Sequence, residues 1–122
     1  MQTLRRSTWF WFTLFWAIAV CVVSVIPSIE LPSVHFWEPD KLAHVFVYAV
    51  LAYALAKTIF SQTTNRMRSI FVSLVICFSY GILLELIQKA LPTRMFDPFD
   101  ILANTLGAFC GAVLMRIIIP LR

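Results

Sequence analysis

The sequence predicts an all-α membrane protein, a bundle of four transmembrane helices with its N- and C-termini cytoplasmic. Two compositional facts and one pattern predict it. Of 122 residues, 61% are apolar and only 13% are charged. A soluble domain of this length has too little interior to hide so much apolar surface. The apolar residues fall into four runs, each near the roughly 20 residues that a helix needs to cross a bilayer. Short polar or proline-marked breaks separate the runs, and basic residues flank them. One membrane domain over 1–122 accounts for the chain. It contains no repeat and no low-complexity tract.

The first helix is expected over about 9–26. Arg5 and Arg6 precede it and Pro27 ends it. A secretory signal has a similar basic start, but its apolar region is shorter, about 7–15 residues, and a small-residue cleavage site follows. Pro27-Ser28-Ile29-Glu30 is a poor match to such a site, so the helix reads as uncleaved. Residues 30–39 read as a loop, with Phe36 and Trp37 at headgroup level and His35 facing water. A second helix, about 40–60, starts at Pro39 or Asp40, since proline suits a first helical turn. Residues 61–68 form a polar, basic turn. The third helix, about 69–91, is stopped by Pro92. The fourth, about 98–119, is stopped by Pro120. Asp97 reads as its N-cap, Pro98 as its first residue, and Asp100 as the partner in a capping box.

The net charge of +4 does not imply a nucleic-acid partner, because the basic residues form no dense patch. They act as topology signals instead. With the N-terminus inside, Arg5, Arg6, Lys57, Arg66, Arg68, Arg116 and Arg122 lie on the cytoplasmic side, in accord with the positive-inside rule. Lys41, Lys89 and Arg94 then lie outside, as do all the acids: Glu30, Glu38, Asp40, Glu85, Asp97 and Asp100. Cys21, Cys77 and Cys110 are odd in number, lack C-x-x-C spacing and sit within apolar runs, so they read as packing residues.

The chemistry concentrates in Gly81 to Asn104. This stretch holds Glu85, Gln88, Lys89, Arg94, Asp97, Asp100 and Asn104 between two apolar helices. Polar groups are costly in hydrocarbon and tend to mark function there. The topology brings the start of helix 2 to the same face, and with it Asp40, His44 and Tyr48, which recur every four residues. On helix 3, Gly81, Glu85 and Gln88 share a face. On helix 4, Asp97, Asp100, Asn104, Gly107 and Gly111 form one stripe, polar above and small-residued below, expected to face the bundle interior. Gly107-x-x-x-Gly111 is a close-approach motif and a candidate surface for homo-oligomerisation.

Each of these residues also has a structural reading. Asp97 and Asp100 can serve as helix caps, and Asp40 can favour the positive end of helix 2. Lys41 and Lys89 read as snorkelling anchors, and Arg94 as a headgroup contact or a counter-ion for the acids. His44 reads equally as a satisfied interfacial histidine. Glu85 is explained least by folding. It lies roughly 9 Å inside helix 3, near the negative end of the dipole, and a pair with Lys89 is worth only about 0.2–0.5 kcal/mol.

Asp40-Lys41-Leu42-Ala43-His44 with Tyr48, then Gly81-x-x-x-Glu85-x-x-Gln88, then Arg94, Asp97, Asp100, Asn104 and Gly107, resembles the signature of the VanZ-like family of small bacterial membrane proteins. The resemblance covers about Asp40 to Gly111. Met95 and Phe96 stand where many members carry a small residue. The resemblance implies a bacterial inner-membrane protein and a link to teicoplanin-type glycopeptide resistance, but transfers no catalytic roles.

The leading expectation is an outer-leaflet polar pocket that binds or modifies an envelope component, such as a lipid-linked precursor or a lipid headgroup. Glu85, His44 and Asp40 are the catalytic candidates. Gln88, Arg94, Asp97, Asp100 and Asn104 are the ligand-binding candidates, with the planar guanidinium of Arg94 suited to phosphate or carboxylate. A second expectation makes the same cluster a non-enzymatic knot that fixes helices 2, 3 and 4. A third is a metal-assisted hydrolase of envelope lipid. D-x-x-x-H spacing alone defines no metal site, so neither metal nor cofactor is expected.

Overall fold

The computed structural model describes residues 2–26 and 39–119. Four helices account for them: α1 (Gln2–Val25), α2 (Pro39–Thr63), α3 (Arg66–Ala90) and α4 (Pro98–Ile118). Each carries a window long and apolar enough to cross a bilayer, and there is no strand among the described residues. The protein is therefore a multi-pass, all-helical membrane protein. Several sequence expectations lie outside the described residues: Pro27 and Pro120 as helix stops, residues 30–38 of the expected loop with His35, Phe36 and Trp37, and the positions of Glu30, Glu38 and Arg122; Pro39 itself opens α2.

The helix bounds differ from the sequence reading at two places: α1 begins at Gln2, some seven residues before the expected start, and the 61–68 segment is shorter than expected. It is not an extended turn. α2 continues to Thr63 and α3 starts at Arg66. The hydroxyls there fold back onto helix carbonyls: Ser61 donates to Thr58 O, Thr63 to Ile59 O and Ser69 to Asn65 O. Polar side chains satisfied in this way can stay within a helix. Asn65 caps α3 by accepting from Arg68 N at 2.9 Å. The reversal is left to Thr64, which takes φ 54°. That left-handed conformation is unfavourable for a β-branched residue.

α2 is the hub. It packs against all three other helices, most extensively against α4, whereas α1 meets only α2 and α3 among the described residues. Contacts fix an up-down order. Gln88 Nε2 donates to Ser24 O (2.9 Å) and Tyr80 Oη to Ala17 O (2.6 Å), so α1 and α3 run parallel. Thr13 and Thr58 share a buried hydroxyl contact at 2.9 Å, and Trp16 Nε1 donates to Val47 O at 3.0 Å, so α1 and α2 are antiparallel.

Lipid tails are as apolar as leucine, so membrane helices associate through close packing and hydrogen bonds. The interfaces follow that rule. α3 buries Ser69, Ser73, Cys77 and Gly81 at four-residue intervals. α4 buries Ala103, Gly107, Ala108, Gly111 and Ala112. Large apolar side chains such as Phe46, Phe71, Phe109 and Ile117 face outward.

Gly107 and Gly111 lie directly on α2. A Cβ at Gly107 would run into the carbonyl of Val45, and one at Gly111 into that of Ala49. The equal four-residue steps show that α2 and α4 run parallel in register. The close-approach motif is thus used inside one chain. It does not lie on an outer face open to a second copy, because α2 already occupies it.

Candidate functional site

The site forms at the bundle end where α2 and α4 begin and α3 ends. α4 starts as the sequence indicates: Asp97 is the N-cap, its Oδ1 accepting from Phe99 N at 2.8 Å, and Pro98 opens the helix. Asp100, however, does not complete a capping box. The Asp97 N–H instead points to Glu85 Oε2 of α3, 3.4 Å away. Glu85, only 1% exposed, supplies from another helix the carboxylate that a capping box takes from its own. Its carboxylate turns inward, and Lys89 stands over the Phe96 ring at 6.0 Å.

Asp100 is drawn towards α2. Its Oδ1 lies 3.8 Å from Lys41 Nζ and its Oδ2 3.9 Å from His44 Nε2. Lys41 Nζ reaches Asp97 Oδ2 at 3.1 Å. Lys41 is therefore a counter-ion for α4's acids, not only an anchor, and sequence reasoning missed that role. The signal was present: Lys41, His44 and Tyr48 follow a three-then-four spacing that places them on one helix face.

His44 Nδ1 and Asn104 Oδ1 are 2.7 Å apart. An amide oxygen only accepts, so Nδ1 carries the proton in this bond. That directs the other ring nitrogen, Nε2, at two carboxylates: Asp40 Oδ2 and Asp100 Oδ2, each 3.9 Å away. One ligand atom from each of Asp40, His44 and Asp100 lies within 4.8 Å of the others. Gly81 allows this arrangement. A Cβ there would approach Asn104 Nδ2 to 3.3 Å and the Tyr48 ring to 3.5 Å.

Arg94 is not a counter-ion to these acids in the described contacts. Its guanidinium caps the end of α1, with Nη2 donating to Ile26 O at 2.9 Å and to Val23 O at 3.4 Å. Free carbonyls at a helix C-terminus attract such a cation. Arg66 does the same for α4 at the opposite end, donating to Ile119 O at 2.8 Å.

Beside the cluster lies a cavity of about 210 Å³ between α1 and α2. Trp16, Ala19, Val20, Val23, Ala43 and Val47 form apolar walls, and Asp40, His44, Tyr48, Gln88 and Arg94 add polar groups. Tyr48 is 2% exposed, and its buried hydroxyl has no hydrogen-bond partner among the described residues. The expected site residues thus divide into two layers. Asp40, His44, Gln88 and Arg94 line the cavity. Glu85, Asp97, Asp100 and Asn104 stand behind it, holding the helices and His44 in place. The α1 wall was not anticipated, since an apolar helix carries no polar signal of its role.

No curated protein and no solved structure matches the chain. A family model described as VanZ/LLP1 matches residues 5–119. That match takes in all four helices and every cluster residue, so the chain belongs to the VanZ/LLP1 family.

Proposed function

We propose that this protein seats one amphiphilic cell-envelope lipid in the α1–α2 cavity, in the outer leaflet of the bacterial cytoplasmic membrane. The observation that carries the reading is the cavity's chemistry. Apolar walls suit an acyl or prenyl chain, while Asp40, His44 and Arg94 suit a polar headgroup. Its volume of about 210 Å³ is below the roughly 300–1,000 Å³ of pockets that enclose a whole small ligand. A ligand embedded partly in the bilayer fits that size. The outer location follows from the basic residues gathered towards the opposite end. For proton transfer at the site, His44 is better placed than Glu85, because it lines the cavity and Glu85 does not. The family resemblance extends the proposal to glycopeptides: this chain lowers teicoplanin susceptibility by acting on such a lipid.

The test is lipid retention. The full chain is purified in mild detergent and its bound lipid measured by mass spectrometry. Ala43→Trp fills the cavity and should strip the lipid while leaving the melting temperature within a few degrees. His44→Ala should weaken retention and remove any teicoplanin effect at equal protein level. Equal lipid in wild type and Ala43→Trp would sink the reading.

A second reading has its own support. Lys41–Asp97, His44–Asn104 and Glu85–Asp97 N tie α2, α3 and α4 together. If the cluster is only a knot, activity in Glu85 and His44 variants will track the amount of folded protein.

A further inference from the structure

We propose that Asp40, His44 and Asp100 bind one divalent cation of the zinc or manganese type. The three residues offer two carboxylate oxygens and an imidazole nitrogen within 4.8 Å of one another. His44 Nε2 stands 3.9 Å from Asp40 Oδ2 and 3.9 Å from Asp100 Oδ2, too far for a hydrogen bond to either. Small side-chain rotations bring all three donors to the roughly 2.0–2.2 Å of metal–ligand bonds. Asp40, with a side chain 61% exposed, is free enough to make that move.

Orientation supports the assignment. A ligating histidine usually donates its other ring N–H to a neighbouring acceptor, which fixes the tautomer. His44 has that partner in Asn104 Oδ1 at 2.7 Å. A separate observation concerns Asp100. It is nine-tenths buried, and its Oδ1 has no hydrogen-bond partner among the described residues. In the described contacts the cation beside that oxygen is Lys41 Nζ at 3.8 Å, beyond hydrogen-bond reach, so a bound ion would compensate the buried carboxylate more closely.

The local charge points the same way. Asp40, Glu85, Asp97 and Asp100 gather beside Lys41 and Arg94. The helix ends here are two N-termini and two C-termini, whose partial charges offset one another. With the carboxylates ionised and Lys89 counted as well, the described residues at this end keep a net negative charge, which favours a cation. An imidazole among the donors favours zinc or manganese over calcium, which takes oxygen ligands.

Asp40 and His44 also line the cavity, so coordination positions not filled by protein face it. If the lipid reading holds, the ion would let an acid-rich site hold a phosphate headgroup. The cation site itself does not depend on that reading.

The test uses the full, tag-free chain, stripped of lipid and metal in detergent and titrated with Mn²⁺ under electron paramagnetic resonance. Mn²⁺ avoids the three free thiols, Cys21, Cys77 and Cys110, which would compete for zinc. About one saturable ion per chain is expected. Asp40→Asn and His44→Ala should each weaken binding at least tenfold, and Asn104→Ala by about 10–100-fold. Should His44→Ala fail to fold, Asp40→Asn still decides, because its carboxylate is largely exposed. No saturable binding, or unchanged binding in folded Asp40→Asn, overturns the site. Metal binding without lipid retention would leave this site standing and remove only the lipid reading.

Discussion

Asn104 holds His44 through one short hydrogen bond between residues 60 positions apart in sequence. Asn104, itself 3% exposed, is the acceptor for the mostly buried His44 ring, and Asn104→Ala leaves that N–H without it. Such a loss costs about 1–3 kcal/mol, so thermal unfolding in detergent should show a clear drop. No drop would mean that the bond contributes nothing. Lys41 and Asp97 behave differently, because their side chains are 28% and 36% exposed. A Lys41→Ala/Asp97→Ala double-mutant cycle should give a coupling below about 1 kcal/mol. Asp97→Ala alone should cost about 1 kcal/mol through the lost cap. Glu85 was the residue that sequence reasoning explained least. Its backbone partner, Asp97 N–H, comes from a different helix and has no trace in the local sequence. Glu85→Gln keeps an acceptor and should be milder than Glu85→Ala in the same melts.

At the level of helices, α2 and α4 pack backbone to backbone. Gly107→Ala and Gly111→Ala would each drive a methyl into a carbonyl on α2. A backbone cannot yield as a side chain can, so each should cost at least the roughly 1–3 kcal/mol typical of overpacking. Gly81→Ala meets only the Asn104 amide at 3.3 Å and the Tyr48 ring at 3.5 Å, and should be the mildest of the three. Yield of folded protein on size-exclusion chromatography checks the ranking. The α2–α3 turn runs the other way. Thr64 holds φ 54°, where glycine has no Cβ penalty. Thr64→Gly should leave the melting temperature unchanged or raise it, by up to about 1 kcal/mol of stability. A marked loss would show that the Thr64 side chain matters more than its backbone.

For the whole molecule, the polar cluster sits at one end and Lys57, Arg66, Arg68 and Arg116 sit towards the other. The proposed orientation, with the site outside, rests on the positive-inside rule. A cysteine-free background with one cysteine at Met95, which is 89% exposed, should be labelled in intact cells by a membrane-impermeant maleimide. One at Thr64 should react only after the membrane is opened. The reverse pattern would put the cavity on the cytoplasmic face and rule out an outer-leaflet lipid. The same inversion would leave the cation site untouched, since its donors do not depend on orientation.

Apolar run length determined the helix count and the membrane setting, because hydrocarbon thickness sets how long a spanning helix must be. Local spacing was enough for the Asp97 cap, the inward stripe of α4 and the shared face of Gly81, Glu85 and Gln88, because these depend only on the period of one helix. It did not reveal which polar group meets which. That Lys41 pairs with Asp97, that Arg94 caps α1, that Glu85 completes α4's cap, and that Gly107 and Gly111 rest on α2 were decided by the tertiary structure. The physical reason is that a single sequence carries the angular position of each side chain on its own helix. Pairing between helices depends on their relative rotation and depth, and those settle only when the small-residue faces close.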